Sequence, residues 1–356
     1  MRFYLLRLTA PSVGNPSPAP NGPLQVIVNM VQPKEWTSHP NGIYDPAAHN
    51  IHFDFQVVDY ANYAGAMVIT IEGPQMDDLI QAANYTPFKS GINNDLAAWR
   101  LELYGGMSPD GLPLSTPAAG QPMPGLLAVG EVLEAFGNWT GTDMRLSFLV
   151  VPAGVNQRPL DLNWTPGEPL AQALQTMLNY SFPGIPQSIQ ITPNLVGPPH
   201  GIGHYTTSLR GMAHFLLDQT QGPNYGMAAN YPGVSLYVQN GIIIATDSTQ
   251  MASMTTTQLS EESFIGQPVW IGGDTMAMNL VMRSDMRVGN YVEMPKGFSN
   301  VPGFVTTLAS INNYNFNFKL SFSGKFIIKA VRHIGEFRGT SGEDWMTTVE
   351  AVPLLN

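Results

Sequence analysis

Residues 324–351 read GKFIIKAVRHIGEFRGTSGEDWMTTVEA. The first part, Phe326 to Ile334, is mostly β-branched and aromatic, and three glycines between residues 335 and 342 then interrupt it. From Trp345 onward apolar and polar side chains alternate, which is typical of a strand. The pattern predicts a two-stranded antiparallel hairpin with a long, glycine-rich corner. Because an isolated hairpin is at best marginally stable, the preceding sequence must supply a larger sheet.

The composition limits the kinds of partner that the chain can have. Of its 356 residues 44% are hydrophobic and only 12% are charged, about half the usual share of charge. This indicates a surface that is largely buried against other chains, or is polar and neutral. The formal net charge is -10, so the chain is not suited to hold nucleic acid non-specifically. It could still line a passage through which DNA slides without sticking.

Cysteine is absent, which excludes disulfides, zinc–thiolate sites, iron–sulfur clusters and thiol nucleophiles. The apolar run at the start is interrupted by Arg7 and is too short for a signal peptide or a membrane span. We therefore expect a soluble chain, made in the cytoplasm, with no membrane insertion.

Short alternating or β-branched runs predict strands over most of the chain, with Gly- and Pro-rich turns between them. Two further hairpins are expected at 126–154 and at 234–246, where Asn240-Gly241 is a strong turn signal. Irregular segments are expected at 11–23, 39–50, 105–125, 197–203 and 248–262. The predicted single strands are 2–9, 24–31, 51–58, 66–71, 99–104, 189–191, 264–271, 277–282, 291–294 and 316–322.

Three helices are predicted, at 74–83, 166–180 and 208–219, and Ser208 is the expected N-cap of the last. Two of them fall together in the middle of the chain. The sequence therefore predicts a mainly β protein with three domains: an N-terminal β domain at 1–155, a small α+β insert at 156–250 and a C-terminal β domain at 251–356.

A short internal similarity links the two β regions. Gly137-Asn-Trp-Thr-Gly-Thr142 and Gly335-Glu-Phe-Arg-Gly-Thr340 share Gly, an aromatic residue, Gly and Thr at the same spacing. Each follows one predicted strand and precedes another. The similarity predicts that the chain contains two related β-barrel domains.

Histidine clusters are the first candidates for a chemical site. His49 and His52, with Asp45 and Asp54 nearby, could form a metal cluster. However, alternation puts His52 and Asp54 on the polar face of a strand, so a solvated face is the favoured interpretation. His200 and His204 lie among Pro and Gly residues that exclude a helix, and we expect a pair of loop histidines.

Adjacent carboxylates occur at Asp77/Asp78, Glu261/Glu262 and Glu343/Asp344, and each pair lies where a helix start, linker or turn would expose it to water. Arg332, His333 and Arg338 could bind an anion, but salt bridges, including ones across a subunit contact, are favoured. No catalytic constellation, cofactor site or metal site is predicted, and the chain is not expected to be an enzyme.

Several segments of the chain share their pattern with one known family. In the C-terminal region these are Ile265–Pro268, Met282–Pro295, Gly324–Gly339 and Trp345–Thr347, and in the upstream region they are Leu126–Val132 and Phe136–Thr142. Together these segments resemble the baseplate hub proteins of contractile-tailed bacteriophages. The similarity spans roughly residues 70–351, and the N-terminal arm and the 105–124 segment match nothing specific.

The resemblance implies a homotrimeric hub with two tube-type β-barrels in each chain. Three chains would then present six barrels to a sixfold tail tube while holding a threefold spike on the other side. The implied partners are the tail tube or tube-initiator protein, the central spike and the baseplate wedge proteins, with DNA as passing cargo. The implied location is the virion tail.

Two other functions remain open at this point. A β protein with exposed aromatic residues could bind or cleave glycans, and a capsid- or tube-type protein could self-assemble without a spike. A stable trimer in solution would favour the hub, whereas rings of six or open polymers would favour tube-type assembly.

Overall fold

The computed structural model describes residues 1–10, 33–59, 65–89, 96–107, 125–152, 159–183, 185–229, 231–247, 256–271, 275–295, 304–305, 322 and 324–353. Outside these ranges lie the predicted loop 11–23, the predicted strand 24–31 and most of the predicted strand 316–322. Most of the 105–125 segment and the first part of the predicted linker 248–262 also lie outside.

Strands account for most of the regular structure, which confirms the prediction of a mainly β protein. In chain order they are β1 (Arg2–Thr9), β2 (Lys34–Thr37), β3 (Asn50–Val57), β4 (Met67–Glu72), β5 (Phe88–Lys89), β6 (Leu96–Ala97), β7 (Arg100–Met107), β8 (Leu126–Thr140), β9 (Asp143–Val151), β10 (Leu160–Trp164), β11 (Gln187–Gln190), β12 (Ile202–Thr206), β13 (Ser235–Gln239), β14 (Ile242–Thr246), β15 (Thr256–Gln258), β16 (Val269–Trp270), β17 (Met276–Val281), β18 (Tyr291–Glu293), β19 (Phe304–Val305), β20 (Lys325–Glu336) and β21 (Trp345–Pro353).

The described residues contain three α-helices: α1 (Met76–Ile80), α2 (Leu170–Ser181) and α3 (Leu209–Thr220). Ser208 caps α3 as predicted, because its side chain accepts a hydrogen bond from the Gly211 amide. Helix α1 is shorter than predicted and continues as a 3-10 turn at Ala82–Tyr85. None of the helices described is long and apolar enough to cross a membrane.

Most of the strands belong to one 14-stranded sheet. Its main path runs β19-β16-β17-β21-β20-β3-β4-β9-β8-β7-β1-β2, and β18 joins it beside β20. The pairing of β20 with β3, between Val331–Glu336 and His52–Val57, connects the C-terminal strands to the N-terminal ones. Separate small sheets lie in the insert, β10-β12 and β11-β14-β13.

The sheet contains the same five-strand arrangement twice. The order β3-β4-β9-β8-β7 is matched by β16-β17-β21-β20-β18, every neighbouring pair is antiparallel, and the corresponding strands follow the same sequence order. The two similar segments, 137–142 and 335–340, lie at equivalent places in the two copies of this arrangement. Gly137 pairs with Leu146, and Gly335 pairs with Trp345 at the equivalent place. Closure of each repeat into a barrel, and the domain boundaries at 155 and 250, stay predictions.

Buried apolar side chains form three clusters. One lies among β1, β3, β4, β7, β8 and β9, a second fills the insert, and a third lies among β17, β18, β20 and β21. The β20–β21 hairpin contributes to two of them. Phe326 and Val349 belong to the C-terminal cluster, while Phe337 and Trp345, at the other end of the hairpin, belong to the N-terminal one. This single hairpin therefore packs into both β cores.

The insert contacts the C-terminal repeat through polar groups of β13. The Tyr237 hydroxyl donates to the Val288 carbonyl (2.9 Å), and the Gln239 side chain bonds both the Met286 carbonyl (3.3 Å) and the Val288 amide (3.1 Å). Because these bonds satisfy backbone groups that no strand partner would satisfy, they hold the insert in one orientation.

Several local predictions are confirmed, and others are wrong. The hairpin at Asn240-Gly241 forms, with positive φ at both residues, as a tight two-residue turn requires. Gly130 lies in β8, and a Cβ there would approach Val150 and Val151 too closely, so the hairpin interpretation of 126–154 is correct. The predicted loop 197–203 and the predicted linker 248–262 are each interrupted by a strand, β12 and β15.

We predict that Gly335→Ala destabilises the protein by about 1–3 kcal/mol, the usual cost of overpacking. A Cβ at Gly335 would lie 2.2 Å from the ring of Phe53, at the junction of β20 and β3. Gly203→Ala is the matched control, because no atom lies within 4 Å of a Cβ built there. Denaturant unfolding of both variants and the wild type measures the difference, and equal stabilities for the two variants would contradict the prediction.

Candidate assembly surface

The turn of the β20–β21 hairpin is hydrogen-bonded to strand β1. The Arg2 guanidinium donates to the carbonyls of Glu336 (3.0 Å), Gly339 (2.6 Å) and Ser341 (2.5 Å). The Asp344 carboxylate accepts from the Ser341 amide (2.6 Å) and closes a short capped turn. These bonds satisfy backbone groups of a glycine-rich corner that lacks ladder partners, so the corner is held in place by the opposite end of the chain.

Arg332 and Arg338, predicted to form salt bridges or bind an anion, are held by their own chain. Arg332 binds the Asp54 carboxylate through two nitrogens (2.7 and 2.5 Å), and this hydrogen bonding raises the pKa of Arg332. Arg338 donates to the carbonyls of Pro46 (2.7 Å) and Ala48 (2.5 Å). The salt-bridge prediction is confirmed for Arg332, within one chain, and both guanidinium groups are used to join β20 to the region around β3.

His333 is buried rather than exposed, so its predicted role as an anion-binding or interface residue is wrong. Only 2% of it is accessible, and Nδ1 lies 3.0 Å from the Thr347 hydroxyl. The same hydroxyl accepts from the Arg283 amide (3.1 Å) and lies 3.2 Å from the Arg283 carbonyl, so His333 belongs to a buried hydrogen-bonded group. Burial lowers the pKa of His333 to about 3, because a charged imidazole would lose its hydration. His333 is a neutral core residue at the seam of the sheet.

The His49–His52 group does not form a metal site. His52 lies 3.1 Å from the Glu72 carboxylate and 2.9 Å from the Asn50 amide, on the half-exposed face of β3, while Asp54 is exposed and bound to Arg332. Asp45 instead accepts from the Ala47 amide within its own turn (2.8 Å). The prediction of a solvated strand face is confirmed, and the described residues contain no cluster able to hold a metal ion.

His200 and His204 do not form a pair of loop histidines. His200 lies exposed in a turn, whereas His204 belongs to β12 and stacks on Phe215 with ring centres 3.8 Å apart. The local glycines led to the wrong prediction, because β12 pairs with β10, a strand that lies about forty residues earlier.

One of the adjacent carboxylates is buried, contrary to prediction. Asp78 is 3% accessible, forms an ion pair with Lys34, and accepts a hydrogen bond from the Trp36 indole (3.2 Å). Its environment is structural, because both partners belong to β2 and connect that strand to α1. The Glu261/Glu262 and Glu343/Asp344 pairs lie in exposed 3-10 turns, as expected.

The large sheet has one face that points away from the buried clusters, and the charges on this outward face nearly cancel. Across β9, β4, β3 and β20 it carries the Asp54–Arg332 pair, the Glu72 carboxylate with Arg145 (3.2 Å) and His52, and the Thr70–Ser147 hydroxyl pair (2.9 Å). A shallow groove of about 370 Å³ crosses this face between Val68 and Ile334. Because Arg145 and Arg332 each lie beside a carboxylate, these two residues offer phosphate groups no continuous basic strip.

The tip of the β8–β9 hairpin exposes large apolar side chains. Leu133, Phe136 and Trp139 are 43%, 48% and 62% accessible. Because side chains alternate along a strand, Phe136 and Trp139 point to opposite faces of β8, so each face of this hairpin exposes a large apolar side chain. Sequence reasoning singled out Trp139 only through the internal similarity and did not detect its exposure, since a tryptophan beside strand residues is usually buried.

No family model and no curated protein sequence matches the chain. Among solved structures, it is similar to the 43 kDa tail protein of prophage MuSo2 from Shewanella oneidensis, with a TM-score of 0.43 and 8% identity over 86% of this chain and 97% of that one. It is also similar to a tail protein from Neisseria meningitidis (TM-score 0.44, 8% identity, 98% and 96% coverage). A third similar structure is the Escherichia coli c3393 protein, a component of the type VI secretion system (TM-score 0.43, 7% identity, 86% and 73% coverage).

We predict that the buried, neutral His333 makes the protein sensitive to acid. Its pKa rises from about 3 when folded to about 6.5 when unfolded, so between these values only the unfolded chain gains a proton. Stability should therefore fall by about 2 kcal/mol from this group as the pH drops from 7 to 5.

The test is denaturant unfolding at several pH values. His333→Asn, which can keep a bond to Thr347, should flatten this slope even if it lowers stability overall. His200→Asn, at an exposed position, is the control and should leave the slope as in wild type. An unchanged slope in His333→Asn would contradict the assignment.

Proposed function

We propose that the protein is a structural component of a bacteriophage tail, and specifically the baseplate hub. In this role it forms a homotrimeric ring that joins a sixfold tail tube to a threefold central spike. The observation that carries the proposal is the five-strand repeat, with the same strand order, sequence order and pairing directions in both copies. The sequence resemblance to hub proteins points to the same role.

Because of the repeat, a trimer of this chain could bind both a sixfold tube and a threefold spike. Three chains with two equivalent units each present six similar surfaces, whereas their inserts and other unrepeated parts occur three times. The insert, which includes α2, α3 and two small sheets, has no counterpart in the other half of the described chain. A closed ring of this kind is a common solution for an oligomer that must have a defined size.

Charge is consistent with a ring around a DNA passage. The chain has a formal net charge of -10, and Arg145 and Arg332 on the outward sheet face lie beside carboxylates. A passage lined in this way would repel or ignore the phosphate backbone instead of binding it, which a conduit for DNA requires.

The proposal assigns four contacts to the protein. The tail tube or tube-initiator protein lies on one side of the ring and the spike on the other, wedge proteins lie around it, and DNA crosses its centre as cargo. The protein would be made in the host cytoplasm and end in the virion baseplate. It would act without catalysis, through its shape and contacts alone.

The proposal predicts a particle of about 116 kDa in solution, which is three times the chain mass of 38.7 kDa. Light scattering coupled to size exclusion, at several protein concentrations, measures this. A trimer is the expected result. A stable monomer at every concentration would count against the hub, and rings of six chains or open polymers would favour a tube-type protein instead.

A further inference from the structure

The turns of the β8–β9 and β20–β21 hairpins leave the large sheet at the same end. Strands β9, β4 and β3 lie between β8 and β20, and every neighbouring pair is antiparallel, so β8 and β20 run in the same direction. Beyond one shared row, β8 continues to the turn at 141–142 and β20 to the turn at 337–344. We name this end of the sheet the turn end. The row of paired residues that crosses all these strands is Phe136, Ser147, Thr70, His52 and Glu336.

The two turns belong to the segments whose sequences are similar. Gly141-Thr142 and Gly339-Thr340 occur at the same spacing in these segments. Both threonines are exposed. Each chain therefore presents an exposed Gly-Thr turn twice at its turn end, and a trimer presents it six times.

The insert lies at the opposite end of the same strands. Near the end of β3, Gln56 lines a cleft of about 550 Å³ together with Tyr237 of the insert. Asn240, in the β13–β14 turn, lines a small cavity with Gly65 and Pro152, which lie just before β4 and just after β9. The insert thus contacts the strands where β3 and β9 end and β4 begins, away from the turn end. A trimer has three inserts, one for each chain.

Both turns are held in place within the free chain. In the first turn, the Trp139 indole donates to the Gly141 carbonyl (2.8 Å), which holds the exposed ring against the turn. In the second, the Arg2 guanidinium binds the carbonyls of Gly339 and Ser341. Because these groups are already ordered, a partner that docks on them pays little additional conformational entropy.

We propose that the turn end binds the sixfold tail tube and that the insert end binds the threefold spike. This inference rests on the proposed hub and assigns a partner to each of its faces. A ring of six identical subunits offers six equal sites, which match the six Gly-Thr turns of a trimer. A threefold partner instead matches the insert, which each chain contributes once.

The six tube sites alternate in one side chain. Trp139 is 62% accessible, whereas the aromatic residue at the equivalent place, Phe337, is 7% accessible and packs edge-on against Tyr4 at 4.9 Å. The backbone of the two turns is therefore what all six tube subunits share. Trp139 adds an exposed aromatic anchor at three of the six sites, and such residues often dominate the energy of a contact.

Because the natural chain has no cysteine, single cysteines can carry a bulky label to either end of the folded protein. Thr142→Cys, Thr340→Cys and Tyr205→Cys are each reacted with maleimide-linked polyethylene glycol. Tyr205 is an exposed residue of the insert. A label at residue 142 or 340 should abolish binding of the tail tube protein of the same phage, measured by co-sedimentation and electron microscopy. A label at residue 205 should leave tube binding intact and reduce binding of the spike protein.

The labels can also contradict the assignment. Loss of tube binding with the label at residue 205, but with neither turn label, would overturn it. Loss with one turn label and not with the other would exclude a contact that uses both turns. In either case the trimer and its binding to the tube would leave the proposed hub intact. An unlabelled protein that stays a monomer at every concentration, or does not bind the tube protein, would overturn the hub as well.

A second measurement needs no label. Trp139→Ala should weaken binding of the tube protein by roughly 10- to 100-fold, as expected for an aromatic anchor, without changing the trimer. Tyr205→Ala removes an equally exposed aromatic side chain from the insert and should leave tube binding as in wild type. Equal affinities of Trp139→Ala and wild type for the tube protein would contradict the role given to Trp139.

Discussion

The architecture depends on the pairing of β20 with β3. These strands are about 280 residues apart in sequence, and six consecutive residue pairs join them. The pairing turns two similar groups of strands into one continuous sheet. The β20–β21 hairpin then has its base in the C-terminal core and its corner in the N-terminal core, with Trp345 donating from its indole to the Gly106 carbonyl (3.0 Å). Relative movement of the two repeats would require this hairpin to leave one of the cores.

The side chains where β20 pairs with β3 show how a junction between repeats differs from an ordinary core. Gly335 allows the Phe53 ring to lie directly over the backbone, and a bidentate Arg332–Asp54 pair crosses the same two strands on the outward face. His333 and Thr347 place a neutral hydrogen-bonded pair inside, where apolar residues alone would also fit. Such a pair contributes to specificity of register more than to net stability, because a shifted strand would leave buried polar groups without partners.

Local sequence patterns predicted the elements better than the contacts between them. The closing hairpin, the hairpins at 126–154 and 234–246, and the Ser208 cap follow from alternation, turn residues and capping preferences, which act over a few positions. The segments around Gly137 and Gly335, which the sequence showed to be similar, also occupy equivalent places in the repeat. The β20–β3 junction, the burial of His333 and Asp78, and the use of Arg332 and Arg338 within the chain depend on residues far away in sequence. Periodicity contains no information about such partners.

The same junction limits the assemblies that the chain can form. A contact between unlike edges is head-to-tail, so it generates a closed ring only if the rotation from one repeat to the next completes a circle. In a ring of six similar repeats each junction must turn the sheet by about 60°, whether it lies within a chain or between chains. The chain contains one complete junction, held rigidly by the hairpin that enters both cores. A ring of three copies therefore needs three further junctions of the same rotation between neighbouring chains.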